Sequence, residues 1–227
     1  MTRVRETFDQ RQPLIVYANH PSWWDPLIAH FLNQKLFSPR QFFAPIDAEA
    51  LEQYRVLSKL GFYKVSVNHR QAIADFIRTS QAILNSGNST IWITPEGRFT
   101  DARDHSASLM PGLAHLCKQT GRGYVIPLAL EYVFWNEPRP VCLASFGNPQ
   151  PMAELANLSK AEYSSHLEQS LRRVQTRLEQ LAIQRQSEAF VPVLSGKSGP
   201  AGIYRIARQI TGKMLRKPVR QRHGDQF

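Results

Sequence analysis

Cysteine is nearly absent from this chain of 227 residues: there are two, Cys117 and Cys142, and neither belongs to a C-x-x-C pair. That excludes a disulfide scaffold and a cysteine-built zinc site, and two buried thiols in a reducing compartment are the expectation. Long apolar runs are missing too. No stretch reaches about 18 apolar residues, so no membrane-spanning helix is expected. Residues 1–13, MTRVRETFDQRQP, have no apolar core, so no signal peptide is expected. Acidic residues are scarce: 18 Asp and Glu stand against 28 Lys and Arg, a net charge of +10. The excess is uneven. From Ser195 to Phe227 there are eight basic residues and one acid, +7 of the total, which leaves the rest of the chain nearly balanced. An anionic partner therefore suits the tail, and a basic body built to bind nucleic acid is not expected.

What is present is enough apolar residue for a proper core, 42% of the chain. Strand-like runs occur at 14–18, 41–45, 62–67, 89–94, 124–130 and 140–146, with helical patterns at 25–34, 47–59, 68–85 and 111–119. Alternating strands and helices predict βαβ units and a mostly parallel sheet, an α/β fold. A hairpin closes this series, with Asn136-Glu137-Pro138 at its turn. Ser159 and Glu162 make a capping-box pattern ahead of a long helix at 159–185, where Tyr163, Leu167, Leu171, Val174, Leu178 and Leu181 form an apolar stripe. Residues 1–185 thus read as the main domain. Residues 186–200, rich in Ser, Gly and Pro, read as a linker. In 201–227 the residues Ile203, Ile206, Ala207, Ile210 and Met214 gather on one helical face, with Arg205, Arg208, Lys213 and Arg216 away from it. Such a basic amphipathic helix can lie on an anionic membrane surface or dock on the body.

Two strands end in polar, titratable clusters, the place where open α/β sheets keep their chemistry. The first is YANHPSWWDP, residues 17–26. His20 and Asp25, five apart, would diverge by about 140° on one helix. They can meet if His20 sits in the turn after the strand and Asp25 near the start of the next helix. Pro21 suits that turn and Ser22 an N-cap. A carboxylate on one ring nitrogen of His20 would hold the other ready as a general base. The second cluster is WITPEGRFTD, residues 92–101, where Glu96 and Arg98 offer a carboxylate and a guanidinium and Gly97 allows close backbone approach. In YVIPLALEY, residues 124–132, Pro127 predicts a bulge or a sheet edge. Residues 100–105, TDARDH, lack metal-ligand spacing and read as a solvated loop.

In this order the three stretches resemble the glycerolipid acyltransferase family, which includes the lysophosphatidic acid acyltransferases. The resemblance covers about residues 10–150. It rests on an N-H-x-S-x-x-D block (Asn19, His20, Ser22 and Asp25), a P-E-G block (Pro95, Glu96, Gly97, followed by Arg98) and a V-P-type strand at 125–129. It implies a glycerol-3-phosphate acyltransferase-like fold, a mixed sheet flanked by helices. It also implies transfer of an acyl group from an acyl-CoA or acyl-carrier-protein thioester to a hydroxyl. Two departures stand out. Arg98 follows Gly97 directly, and Phe99 takes the place where the family carries arginine. In GFYKVSVNHR, Val67 falls where the family's acceptor-binding arginine stands, leaving Lys64 or Arg70 as substitutes. The acceptor implied is therefore open: a lysophospholipid, a glycerol phosphate or a glycolipid.

On this reading His20 is the base and Asp25 orients it, while Asn19, Ser22, Glu96, Gly97, Arg98, Lys64 and Arg70 line the substrate. No G-x-S-x-G nucleophile motif is present. No cofactor or metal is expected, the acyl donor being a co-substrate. The expected partners are the donor, a lipid acceptor and an anionic membrane surface met by 201–222, with no nucleic acid. The expected location is the cytoplasm, peripheral on the inner face of a membrane. Trp23, Trp24, Phe42 and Phe43 could line an acyl groove or sit at an interface. A thioester or ester hydrolase using the same pair, and a non-catalytic lipid-binding protein, are the alternatives.

Overall fold

The computed structural model describes residues 8–65, 71–136 and 139–194. The basic segment 201–222, Arg70, Val67 and part of the expected hairpin turn lie outside the described residues.

Among the described residues seven strands make one mixed sheet: β1 (Leu14–Ala18), β2 (Gln41–Asp47), β3 (Phe62–Val65), β4 (Ser89–Ile93), β5 (Tyr124–Val133), β6 (Val141–Phe146) and β7 (Gln150–Pro151). The order is β3-β2-β4-β1-β5-β6, with β7 also paired to β5. The five strands from β3 to β5 run parallel, while β6 and β7 are antiparallel to β5. The helices are α1 (Asp25–Leu36), α2 (Ala48–Gln53), α3 (Ala72–Asn85), α4 (Gly112–Thr120) and α5 (Lys160–Ile183). The expected α/β fold with a mostly parallel sheet is therefore present.

The side-chain alternation of a strand divides the core. Ile15 and Tyr17 of β1 and Ile91 and Ile93 of β4 face one layer with Ile77 of α3, Leu116 of α4 and Leu167 of α5. Leu14, Val16 and Ala18 face the other with Leu32 of α1 and a group of rings, Phe37, Phe42 and Trp92. Phe42 is thus a core residue. β1, buried along its whole length, has both faces covered, which explains its unbroken apolar run.

Some elements differ from expectation. The helical pattern at 47–59 breaks at Tyr54, whose backbone leaves the helical region, and a 3-10 turn follows at Arg55–Leu60. That turn ends at Gly61 in the left-handed conformation, where an added Cβ would lie 2.1 Å from the Phe42 carbonyl oxygen. α1 begins two residues later than a Ser22 cap would give, with Trp24 at the cap position and Pro26 in the first turn. The capping box of Ser159 and Glu162 is present at the start of α5. Pro127 sits inside the sheet, yet breaks no ladder. β7 pairs with β5 at Tyr124 and Val125, β6 takes over from Leu128, and Pro127 occupies the gap between them.

This topology positions the site. The chain leaves β1 for β2 on one side, and leaves β4 for β5 on the other side of β1. β1 and β4 are neighbours, so their carboxyl ends lie side by side at the point where the winding reverses, the place where open α/β sheets bind ligands.

Candidate active site

His20 follows β1 in a turn, and Asp25 opens α1. Nδ1 of His20 lies 2.7 Å from Oδ2 of Asp25. A carboxylate only accepts, so Nδ1 carries the proton and Nε2 of the neutral ring is the open lone pair. Nε2 has no hydrogen-bond partner among the described residues, and the side chain keeps 17% of its surface exposed. Asp25 is almost fully buried. Its desolvation is met by three donors: His20 Nδ1–H, the Ser22 backbone N–H at 2.9 Å to Oδ2, and the Tyr132 hydroxyl at 2.6 Å to Oδ1.

Tyr132, from β5, is a partner of Asp25 that spacing could not reveal. Burial, and then its bond to Asp25, raises the phenol well above its ordinary value, which keeps it a donor. Cys142 on β6, its register partner, is a free thiol pushed up to about 12 by burial.

Asn19 is buried, and its amide continues the β1–β5 ladder one step past Ala18. Nδ2 donates to the Leu130 carbonyl at 2.9 Å and Oδ1 accepts from the Leu130 N–H at 2.8 Å. The side chain expected at the substrate is thus a latch between two strands. Ser22 gives its N–H to Asp25, and its hydroxyl accepts from Trp24 N at 3.2 Å.

Glu96, just past β4, also turns inward. Oε2 accepts from the His20 backbone N–H at 3.2 Å and from the Thr100 hydroxyl at 2.6 Å, while Oε1 faces Nη1 of Arg172 at 2.7 Å. The carboxylate therefore braces the His20 turn from behind. Thr100 returns a bond, its N–H donating to the His20 carbonyl at 3.1 Å. Gly97 has φ of +66°, and a Cβ there would sit 2.5 Å from the Met110 sulfur. Arg98 is exposed. Phe99 is 60% exposed, and its ring lies 4.4 Å from the His20 ring, centroid to centroid. Lys64 is exposed on β3, three strands away from β1. The structure thus gathers His20, Ser22, Asp25, Glu96 and Gly97 at one sheet edge and leaves Lys64 apart.

A family model described as Acyltransferase matches residues 2–131. The chain belongs to the acyltransferase family. This is the family of the lysophospholipid and lysophosphatidic acid acyltransferases, and the chain is accordingly an acyltransferase enzyme. No curated protein matches it.

The match ends inside β5, whereas the hydrogen bonds around His20 and Asp25 run on beyond it. Tyr132 stands one residue beyond it, and Arg172 lies on α5. The loop between β4 and α4 also differs from a solvated loop. Arg103 grips Glu131 through Nε at 3.1 Å and Nη2 at 2.6 Å, and Gln175 of α5 donates to the Ala102 carbonyl at 3.0 Å. Among the described residues no cluster of His, Cys, Asp or Glu could hold a metal ion.

Around the mouth, large apolar side chains face outward. Trp23 and Trp24 are 51% and 57% exposed. Their rings meet edge to face at 5.5 Å, and Trp23 meets Tyr54 at 5.8 Å. No described helix is long and apolar enough to cross a membrane.

Proposed function

We propose that this acyltransferase moves a fatty acyl group from acyl-CoA or acyl-carrier protein to a hydroxyl of a lysophospholipid, glycerol phosphate or glycolipid, with His20 as general base and Asp25 orienting it. The observation that carries this reading is the 2.7 Å His20–Asp25 contact, with Nε2 left open at the end of β1. Nε2 takes the proton of the acceptor hydroxyl as the oxygen attacks the thioester carbonyl. The tetrahedral intermediate collapses, the C–S bond breaks, and the His20 proton goes to the departing thiolate. Products are the acyl ester and the free thiol. A thioester is already activated, so no acyl-enzyme is needed. Asp25, held by Ser22 and Tyr132, fixes the tautomer and balances the charge on the imidazolium.

Lipid acceptors sit in bilayers, and the exposed Trp23 and Trp24 in the turn that follows His20, with the exposed Phe99 against the His20 ring, suit a headgroup boundary. We therefore propose that the enzyme works on an anionic membrane surface from its cytoplasmic side, with segment 201–222 as a second contact.

Purified enzyme is incubated with acyl-CoA and a mixed lipid extract, and free thiol and new lipid masses are followed together. Thiol release matched by new acylated lipid, both lost in His20→Ala, is the expected result, and the product mass names the acceptor. Thiol release without new lipid would make the protein a hydrolase. Unchanged transfer in His20→Ala would remove His20 as the base.

A further inference from the structure

α5 carries two stripes. The apolar one, Tyr163, Leu167, Leu171, Val174 and Leu178, packs against the sheet. The second is polar: Glu168, Arg172 and Gln175, spaced i, i+4 and i+7 and therefore on one side of the helix. Each member holds the loop between β4 and α4. Glu168 accepts from the Leu109 N–H at 3.1 Å. Gln175 donates to the Ala102 carbonyl at 3.0 Å. Arg172 reaches deepest, with Nη2 on the Ala107 carbonyl and Nη1 on both Gln175 Oε1 and Glu96 Oε1, at 2.6 and 2.7 Å. The Glu96 side chain is fully buried and that of Arg172 is 13% exposed. A buried carboxylate without its cation would be strongly unfavourable, so Arg172 is what stabilises the charged Glu96 in its place behind His20.

We propose that Arg172 is a positioning residue for acyl transfer: it holds Glu96 so that the carboxylate pins the His20 backbone and the ring stays aligned on Asp25. The inference rests on His20 as the base. It extends the working site to a helix outside the family match at residues 2–131. The chain of contact is short: Arg172 to Glu96 Oε1, Glu96 Oε2 to His20 N, and His20 Nδ1 to Asp25.

The test uses the full chain as wild type, Arg172→Met, Arg172→Lys, Glu96→Gln and the double variant Glu96→Gln/Arg172→Met. Two readouts are taken beside thermal unfolding. One is the downfield proton resonance of His20 Nδ1–H, assigned by its absence in His20→Ala. The other is kcat and KM for thiol release. The expected result is loss or broadening of the resonance in Arg172→Met, with kcat down about tenfold or more and donor KM within about twofold. Arg172→Lys recovers part of both. The double variant is no worse than Arg172→Met, because the two residues act as one unit. Should Arg172→Met fail to fold, Glu96→Gln carries the test with the same two losses expected. A retained resonance and kcat, with only a lower Tm, would overturn the proposal, as would Arg172→Lys behaving like Arg172→Met. The resonance needs no turnover, so it decides the role of Arg172 even if acyl transfer is not found, whereas the His20→Ala assay decides the reading of His20.

Discussion

The hydroxyl of Tyr132 donates a 2.6 Å hydrogen bond to Oδ1 of Asp25, across 107 positions of sequence. β5 lies beside β1 in the sheet, so a residue near its end meets the carboxylate that orients His20. The bond is charge-assisted, a class worth roughly 1.5–3 kcal/mol. Tyr132→Phe keeps the ring and removes the donor. It should lower kcat about tenfold, with donor KM little changed, in the thiol-release assay. Asp25→Asn should cost far more, roughly a thousandfold or beyond, because an amide supports the wrong His20 tautomer. Equal losses in the two variants would assign Tyr132 a role other than holding Asp25.

Asn19 makes two buried bonds to the Leu130 backbone. Asn19→Ala would leave both Leu130 groups without their side-chain partner. A cost of about 2–4 kcal/mol follows, read as a lower urea midpoint at unchanged slope. A loss of activity at full stability would instead place Asn19 at the substrate.

Gly97→Ala meets two penalties, the left-handed backbone and the Met110 sulfur 2.5 Å from the new Cβ. The backbone part is about 1–2 kcal/mol. Met110 is 48% exposed and can move aside. Adding Met110→Ala should therefore recover only part of the lost Tm, since the strained φ remains. Full recovery would show that contact alone excludes a side chain at position 97.

Burial raises Cys117 and Cys142 each to about 12 from an ordinary 9.0. In both, the folded state holds its proton after the unfolded chain has lost it. The stability they contribute is present below about pH 9 and lost as pH rises from about 9 to about 12. Chemical denaturation across that range should show the midpoint falling. At pH 8 iodoacetamide should label neither thiol in the native enzyme, and both after unfolding.

Trp23 and Trp24 make little of the core, so Trp23→Ala/Trp24→Ala should keep Tm within about 2 °C. If the pair enters a headgroup layer, roughly 100 Å² of apolar surface at about 25 cal/mol per Å² is lost, on the order of fiftyfold in affinity. Co-sedimentation with anionic phospholipid vesicles measures this. Equal binding by the double variant would move the membrane contact elsewhere on the molecule.

Much of the architecture was legible because its signals are local. The apolar run 14–18 is β1, and the stripe from Tyr163 to Leu178 is the buried side of α5. A strand period of two and a helix period near 3.6 are properties of neighbouring residues, so they survive in one dimension. The break at Tyr54 was less legible, since a helical pattern runs on through a 3-10 turn. The His20–Asp25 pair was legible as well, because five residues of turn set its reach.

The inward roles of Asn19 and Glu96 were not. Their residue types suit a ligand as well as they suit Leu130 or Arg172, and only the fold chose between them. By itself the sequence determined six of the seven strands, most of the helices and the His20–Asp25 spacing, which follow from backbone geometry over a few residues, and it carried the blocks on which the family resemblance rests. The tertiary structure alone decided that Tyr132 reaches Asp25 and that Arg172 braces Glu96. Those partners lie 107 and 76 positions apart, and no periodicity reaches so far. The sheet order and the packing of α5 bring them together, because burying charge in a dry interior requires a partner whatever its distance along the chain.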